Sequence, residues 1–166
     1  MKLFLSIFTR SNITLALSLF GAIGTSITWI HNYLQTRKNF SVEIIAYDLS
    51  TEGLLLYIRI TNNSSLPLSI NEIELSIETK SYICEKYPLK VIEQTHKRGK
   101  TVLSHHEYFS MAFPINLQPF CGESGYLYFS SEKDDFPQLS TPVTLIIRTN
   151  RGQEVQKTLE LKNQLD

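Results

Sequence analysis

Cysteine is scarce in this sequence. The 166 residues include only Cys84 and Cys121, which is too few for the disulfide framework that holds many small secreted domains together. The two thiols would form one bridge if the chain is exported to an oxidising compartment, and they would remain buried thiols if it is not. The sequence leaves both alternatives open.

The sequence also lacks an excess of charge of either sign. Sixteen Lys and Arg residues balance sixteen Asp and Glu residues, so no global electrostatic argument favours nucleic acid as a partner. One local basic cluster surrounds Gly99 and consists of His96, Lys97, Arg98 and Lys100. This cluster is typical of a charged hairpin tip, and contact with anionic headgroups is the alternative if the domain faces the cytoplasm.

No catalytic signature is present. The candidate metal ligands are His96, His105, His106 and Glu107, because imidazole and carboxylate groups bind metal ions. Adjacent histidines at the start of a strand point to opposite faces, so His105 and His106 would share one ion only in a distorted strand. We therefore predict no cofactor, no small-molecule substrate and no enzymatic activity. A metal-dependent enzyme built on these residues is the disfavoured alternative.

Charge is missing altogether from residues 11–30. A helix of 20 residues spans about 30 Å, the thickness of the hydrocarbon core of a bilayer. The run is longer than the apolar part of a signal peptide and continues into Trp29 and Ile30 rather than a small-residue cleavage site. We predict an uncleaved, single-pass transmembrane helix at 11–34, with a cleaved signal or a soluble or surface-lying helix as alternatives.

Small residues line one side of this helix. Thr14, Ser18, Ala22 and Ser26 follow one another at intervals of four, with Gly21 and Thr25 beside them. Small side chains let transmembrane helices approach closely, and hydroxyl groups can bond across the contact. The stripe indicates a face for pairing with a second copy or a partner helix, and a plain anchor is the alternative.

The basic residues before the helix and those after it are nearly equal in number. The positive-inside comparison therefore only narrowly favours a C-terminal domain outside the membrane.

After Asn39 the hydrophobic period changes to two. Leu54, Leu56, Ile58 and Ile60 share one face of LLLYIRIT, which is typical of a half-buried strand. In LPLSINEIELSIE the apolar residues change from even to odd positions at 71–72, which predicts a β-bulge there. Leu55, Tyr57, Tyr108, Tyr126 and Tyr128 form a second set, off the presumed core face. This set is core if another layer covers it, which we favour, and a protein-contact patch if it is exposed.

Strands are predicted at 41–48, 54–61, 66–78, 87–94, 107–115, 125–130, 142–149 and 154–162, with a hairpin turn at 150–153. Short strands with regular turn signals predict an all-β antiparallel sandwich of seven or eight strands, and a closed barrel is the alternative. The predicted plan is an N-terminal flank at 1–10, the transmembrane helix at 11–34, a linker at 35–40, the sandwich at 41–163 and a tail at 164–166.

Three stretches carry a resemblance to known proteins. LLLYIRITNNSSLPLSINEIEL (54–75) resembles the hairpin of immunoglobulin-like domains of the water-stress and late-embryogenesis type. Together with SHHEYFSMAFPINL (104–117), ESGYLYF (123–129) and the N-terminal anchor, it is similar to small uncharacterised membrane proteins of bacteria and their prophages. The framework of antibody domains is absent, since the only tryptophan, Trp29, lies in the apolar segment.

The resemblance implies a fold and a context rather than a reaction. With the residue patterns, it leads us to expect a membrane-anchored, non-enzymatic binding or scaffolding module that acts on an unknown protein partner. The context implies a second role, a prophage or mobile-element protein that modifies the host envelope, for example by excluding superinfecting phage.

Overall fold

The structure is a computed structural model that describes residues 10–77, 80–131, 136–137, 139, 142–152, 154–161 and 163–164. Nearly all of the predicted flank at 1–10 and most of the tail at 164–166 lie outside these residues. The chain divides into two compact units that meet in sequence between Arg37 and Lys38. The first contains an α-helix and the second contains β-strands.

The helix of the first unit, α1, spans Arg10–Thr36. From Ser11 to Thr36 it is long and apolar enough to cross a membrane by length and composition. Every side chain from 11 to 36 is exposed. An α-helix satisfies its backbone hydrogen bonds internally, which a membrane-spanning segment requires.

The described part of the second unit contains ten strands. They are β1 (Phe40–Leu49), β2 (Gly53–Asn62), β3 (Leu68–Ile77), β4 (Lys80–Ile83), β5 (Lys90–Arg98), β6 (Thr101–Phe109), β7 (Ile115–Leu117), β8 (Gly122–Ser130), β9 (Val143–Thr149) and β10 (Val155–Leu159). One sheet has the order β1-β2-β8, and the other has the order β10-β9-β3-β4 with β7 also paired to β3. All of these pairs are antiparallel. The predicted antiparallel sandwich is confirmed, with ten described strands instead of seven or eight, and its immunoglobulin-like character remains a prediction.

The core lies between the inner faces of the two sheets. Leu54, Leu56, Ile58 and Ile60 of β2 are completely buried, as their alternation predicts. The opposite sheet contributes buried residues from β3 and β9, including Ile73, Leu75, Leu145 and Ile147. Full burial of one such side chain stabilises the fold by about 1.5–3 kcal/mol, so the alternating strands supply most of the driving force.

The predicted bulge in β3 is confirmed. Ile70 pairs with Thr149 of β9, whereas Glu72 pairs with Arg148, so Asn71 is the extra residue. The bulge lets Ile70 and Ile73 both enter the core, where both are completely buried.

The prediction of one strand at 107–115 is wrong. β6 ends at Phe109 and β7 begins at Ile115. Pro114 has no amide hydrogen to donate to a sheet, which explains a break in pairing at this point. Phe109 is exposed and Met111 is half-buried, so these residues do not form one continuous core face. The short strand β4 was not predicted.

Candidate functional site

β5 and β6 form a hairpin that belongs to neither sheet of the sandwich. Among the described strands each pairs only with the other, and the turn lies at Gly99 and Lys100. Gly99 has a φ of 61°, a left-handed conformation that glycine adopts without steric cost. The basic cluster is therefore at a hairpin tip, as predicted. We call residues 96–103 the hairpin tip and residues 87–92 and 108–111 the hairpin base.

The hairpin base is fastened to the edge of β8 by a backbone hydrogen bond and to its outer face by an aromatic contact. The Met111 amide donates a 2.8 Å hydrogen bond to the Tyr126 carbonyl, and the ring centroids of Tyr108 and Tyr126 are 6.2 Å apart. Within the base, the Ser110 hydroxyl accepts a 2.9 Å bond from the Leu89 amide. These contacts hold two strands that would be marginally stable alone in water.

The hairpin base partly covers the second set of apolar and aromatic residues, which lies off the core face. Leu55 is buried, Tyr57, Tyr126 and Tyr128 are half-buried, and Tyr108 is exposed. A cavity of about 300 Å³ lies between this face and the base, lined in part by Leu55, Leu89, Val91 and Tyr128. The set is partly core, covered by the hairpin base rather than by a second sheet.

Two register shifts set which side chains share a face of the hairpin. They fall between Lys90 and Ile92, and between His96 and Lys97 opposite Leu103. Cross-strand partners lie on the same face. Ile92 and Tyr108 are partners on the face of Tyr126, and Glu93 and Glu107 are partners on the other face.

The two carboxylates on that second face share one lysine. Lys90 Nζ lies 2.8 Å from the Glu93 carboxylate and 3.3 Å from the Glu107 carboxylate. The bond to Glu93, then that to Glu107, raises the pKa of Lys90, and the same lysine lowers the pKa of Glu93. Exposed pairs of this kind contribute little stability. One lysine against two carboxylates leaves a net negative charge in the middle of the hairpin.

The metal-ligand candidates are only partly brought together. His105 Nε2 lies 3.4 Å from Glu107, and its Nδ1 lies 3.0 Å from the Thr95 hydroxyl. His106 is paired with Gln94, and His96 with Ser104, so His105 and His106 point to opposite faces. Over the described residues, no group of three His, Cys, Asp or Glu side chains is arranged to hold a metal ion.

The hairpin tip combines charge with exposed apolar surface. His96, Lys97, Arg98 and Lys100 are all exposed. Beside them, 52% of Val102 and 64% of Leu103 is exposed. The basic residues were predicted from the sequence, but Val102 and Leu103 were not. The signal for them was two adjacent apolar residues soon after the basic turn.

The hypothesis of a bridge between the cysteines is wrong, since both are free. Cys84 is buried and pairs with Phe129 of β8 in an isolated bridge. Cys121 precedes Phe129 by eight positions on the chain that enters β8, and eight residues of strand extend over roughly 26 Å. A disulfide requires Cα atoms about 4.4–6.8 Å apart.

The small-residue stripe of α1 is exposed along its length. The hydroxyls of Ser18, Thr25 and Ser26 donate to the carbonyls four residues earlier, at 2.8, 2.8 and 2.9 Å. These bonds hide the polar hydrogens from an apolar solvent, while the side of the helix remains flat enough for close approach. Pairing through Thr14, Ser18, Gly21, Ala22, Thr25 and Ser26 remains a prediction.

Comparison with known proteins does not assign the chain to a family. No family model matches the sequence, and no curated protein matches it. The resemblance to prophage and bacterial membrane proteins, and the envelope-modifying role that it implies, therefore remain predictions.

Proposed function

We propose that this protein is a membrane-anchored, non-enzymatic binding module whose hairpin base contacts a protein partner. One observation carries the proposal: among the described residues the outer edge of β5 has no other strand beside it, whereas the β6 side of the base is bridged to β8 at Ser110, and large apolar side chains are exposed at the base. A strand edge presents unpaired amides and carbonyls to any extended segment that lies beside it.

Large apolar side chains are exposed at the hairpin base, among them Tyr87, Leu89 and Phe109. The Ser110 amide donates a 2.8 Å bond to the Leu89 carbonyl, and its hydroxyl donates a 3.4 Å bond to the Tyr87 carbonyl. Phe109 immediately precedes Ser110 and is the cross-strand partner of Lys90, so its side chain lies on the opposite face of the hairpin from that of Leu89. Of Tyr87, Leu89 and Phe109, 80%, 41% and 52% respectively is exposed. Exposed aromatic groups such as Tyr87 and Phe109 are typical anchors of protein interfaces.

Anchoring is the other half of the proposal. The uncharged segment of α1 supports a single crossing of the bilayer. A tethered module meets membrane-bound partners at a high effective concentration, so a modest contact at the hairpin base is sufficient for function.

Site-specific photo-crosslinking in intact cells tests the partner contact. A photoreactive residue replaces Phe109, and the matched control replaces Gln156, an exposed residue of β10. We expect discrete crosslinked products from position 109 and none from position 156, and we expect Leu89→Ser to abolish them. Equal products at both positions, or none at 109, would overturn the proposal.

A further inference from the structure

We propose that the hairpin tip is a lipid contact that binds the anionic phospholipid headgroups of the membrane crossed by α1. The inference rests on the membrane anchoring proposed above and on a sandwich that faces the anionic, cytoplasmic leaflet, which is the opposite of the topology that the basic residues narrowly favour. It goes beyond that function because it assigns a lipid partner to residues that the protein-binding proposal does not use.

The charge of the tip is uncompensated. In the described part of the chain, no ion pair involves Lys97, Arg98 or Lys100. The nearest acidic groups on the hairpin, Glu93 and Glu107, are engaged by Lys90. The tip is therefore a local cationic surface on a chain whose total charge is zero.

The apolar side chains distinguish a bilayer from an acidic protein or nucleic acid. Val102 is the cross-strand partner of Lys97, and Leu103 is the extra residue at the adjacent register shift. More than half of each side chain is exposed to water. Cationic groups flanked by exposed aliphatic groups match the interface of an anionic membrane, where the charges meet headgroups and the aliphatic groups enter the acyl boundary.

The direction of the hairpin fits this contact. Ser110 pairs with Tyr126 in a parallel bridge, so β6 runs in the same direction as β8, and the tip lies toward the end of the sandwich at which β8 begins. Gly122 there pairs with Thr61, and Phe40 pairs with Asn62. The tip and the start of β1 are thus directed to the same end of the sandwich.

Phe40 is also where the chain enters the sandwich. Only residues 37–39 separate α1 from β1, and this connection spans at most about 14 Å when fully extended. The residue that tethers the sandwich to α1 is therefore at the end of the sandwich toward which the tip is directed. Each basic side chain near an anionic surface strengthens binding roughly fivefold, so removing three weakens it on the order of a hundredfold.

Fluorescence of the full chain in proteoliposomes tests the contact. An environment-sensitive dye is placed on Leu103→Cys in a Cys121→Ser background, with Gln156→Cys as the control position. We expect a blue shift at 103 in vesicles of phosphatidylcholine mixed with phosphatidylglycerol, a loss of that shift in phosphatidylcholine alone, and no shift at 156. Lys97→Gln/Arg98→Gln/Lys100→Gln should abolish the shift, because the charges hold the tip at the surface.

The outcomes separate this inference from the proposed function. If the chain floats with the vesicles but the dye at 103 shows no shift, or keeps its shift in the triple variant, the lipid contact is wrong and anchoring stands. If the chain does not float, both are wrong. A shift of equal size in phosphatidylcholine alone would also overturn the inference, since headgroup charge would then play no part.

Discussion

The side-chain amide of Asn62, the last residue of β2, donates a 3.1 Å hydrogen bond to the carbonyl of Gln118, and so joins the end of β2 to the loop before β8. The same nitrogen donates to the Leu66 carbonyl at 2.9 Å. The amide oxygen accepts from the backbone and the hydroxyl of Ser64, at 3.1 and 2.8 Å. Asn62 is completely buried, so this one side chain satisfies the polar groups of two loops.

Asn62→Ala should lower the free energy of unfolding by about 2–3 kcal/mol, because it leaves buried donors and acceptors without partners. Asn63→Ala is the matched control: Asn63 is exposed and makes one 3.4 Å side-chain bond to Ser41. It should lose less than about 0.5 kcal/mol. Urea unfolding of the full chain in detergent, followed by near-ultraviolet circular dichroism, measures both. Equal losses would show that the Asn62 network does not stabilise the fold.

Gly53→Ala should be more destabilising than Gly122→Ala. A Cβ at Gly53 would lie 2.4 Å from the Phe129 carbonyl oxygen, whereas a Cβ at Gly122 would lie 3.1 Å from the Ile60 carbonyl oxygen. The first contact forces β2 and β8 apart at a backbone atom that cannot rotate away, at a cost of about 1–3 kcal/mol. The same urea experiment measures the order of the two variants, and a reversed order would contradict the close approach of β2 to Phe129.

Local pattern accounts for what the sequence predicted correctly. The bulge at Asn71 was predictable because the apolar residues change from even positions at Ile70 to odd positions at Ile73 within four residues. Burial of one face of the strand allows no other register. The hairpin turn between β9 and β10 was also predictable, because its signal lies in neighbouring residues of the chain. Gly152, with a φ of 77°, lies in it, and Gln153 is outside the described residues.

Long-range pairing accounts for what the sequence did not show. The distance between Cys84 and Cys121 depends on the alignment of Cys84 with Phe129, two segments far apart in the chain. The cover over Leu55 depends on where the hairpin base docks. Asn62 begins the polar run NNSS (62–65), and nothing in that run distinguishes the buried asparagine from the exposed Asn63.

Glu72 should make the stability depend on acid pH. Its bonds to Lys86, then to Arg148, hold the pKa of its carboxyl below the ordinary value of 4.5. Because the pKa is lower in the folded state, the stabilisation is present above the unfolded pKa and is lost as pH falls through the folded pKa. Glu72→Gln should therefore flatten the decline in unfolding free energy below about pH 5.

Glu43→Gln is the control for this effect, since Glu43 and Arg59 form an exposed pair at 3.9 Å. It should leave the acid decline in place. Urea unfolding at successive pH values in detergent gives the slope for each variant. A Glu72→Gln curve parallel to that of the natural chain would show that Lys86 and Arg148 do not stabilise the ionised carboxyl.

The two cysteines should differ sharply in reactivity. Burial is the main cause that raises the pKa of the Cys84 thiol to about 12, so almost no thiolate forms near neutral pH. Cys121 is exposed. In the folded chain, maleimide should label Cys121 alone, and Cys121→Ser should remain unlabelled until urea is added. Mass spectrometry without reductant counts the labels. Labelling of folded Cys121→Ser would contradict the buried thiol. A natural chain lighter by two hydrogen atoms, as a disulfide would make it, would contradict the separation of the cysteines along β8.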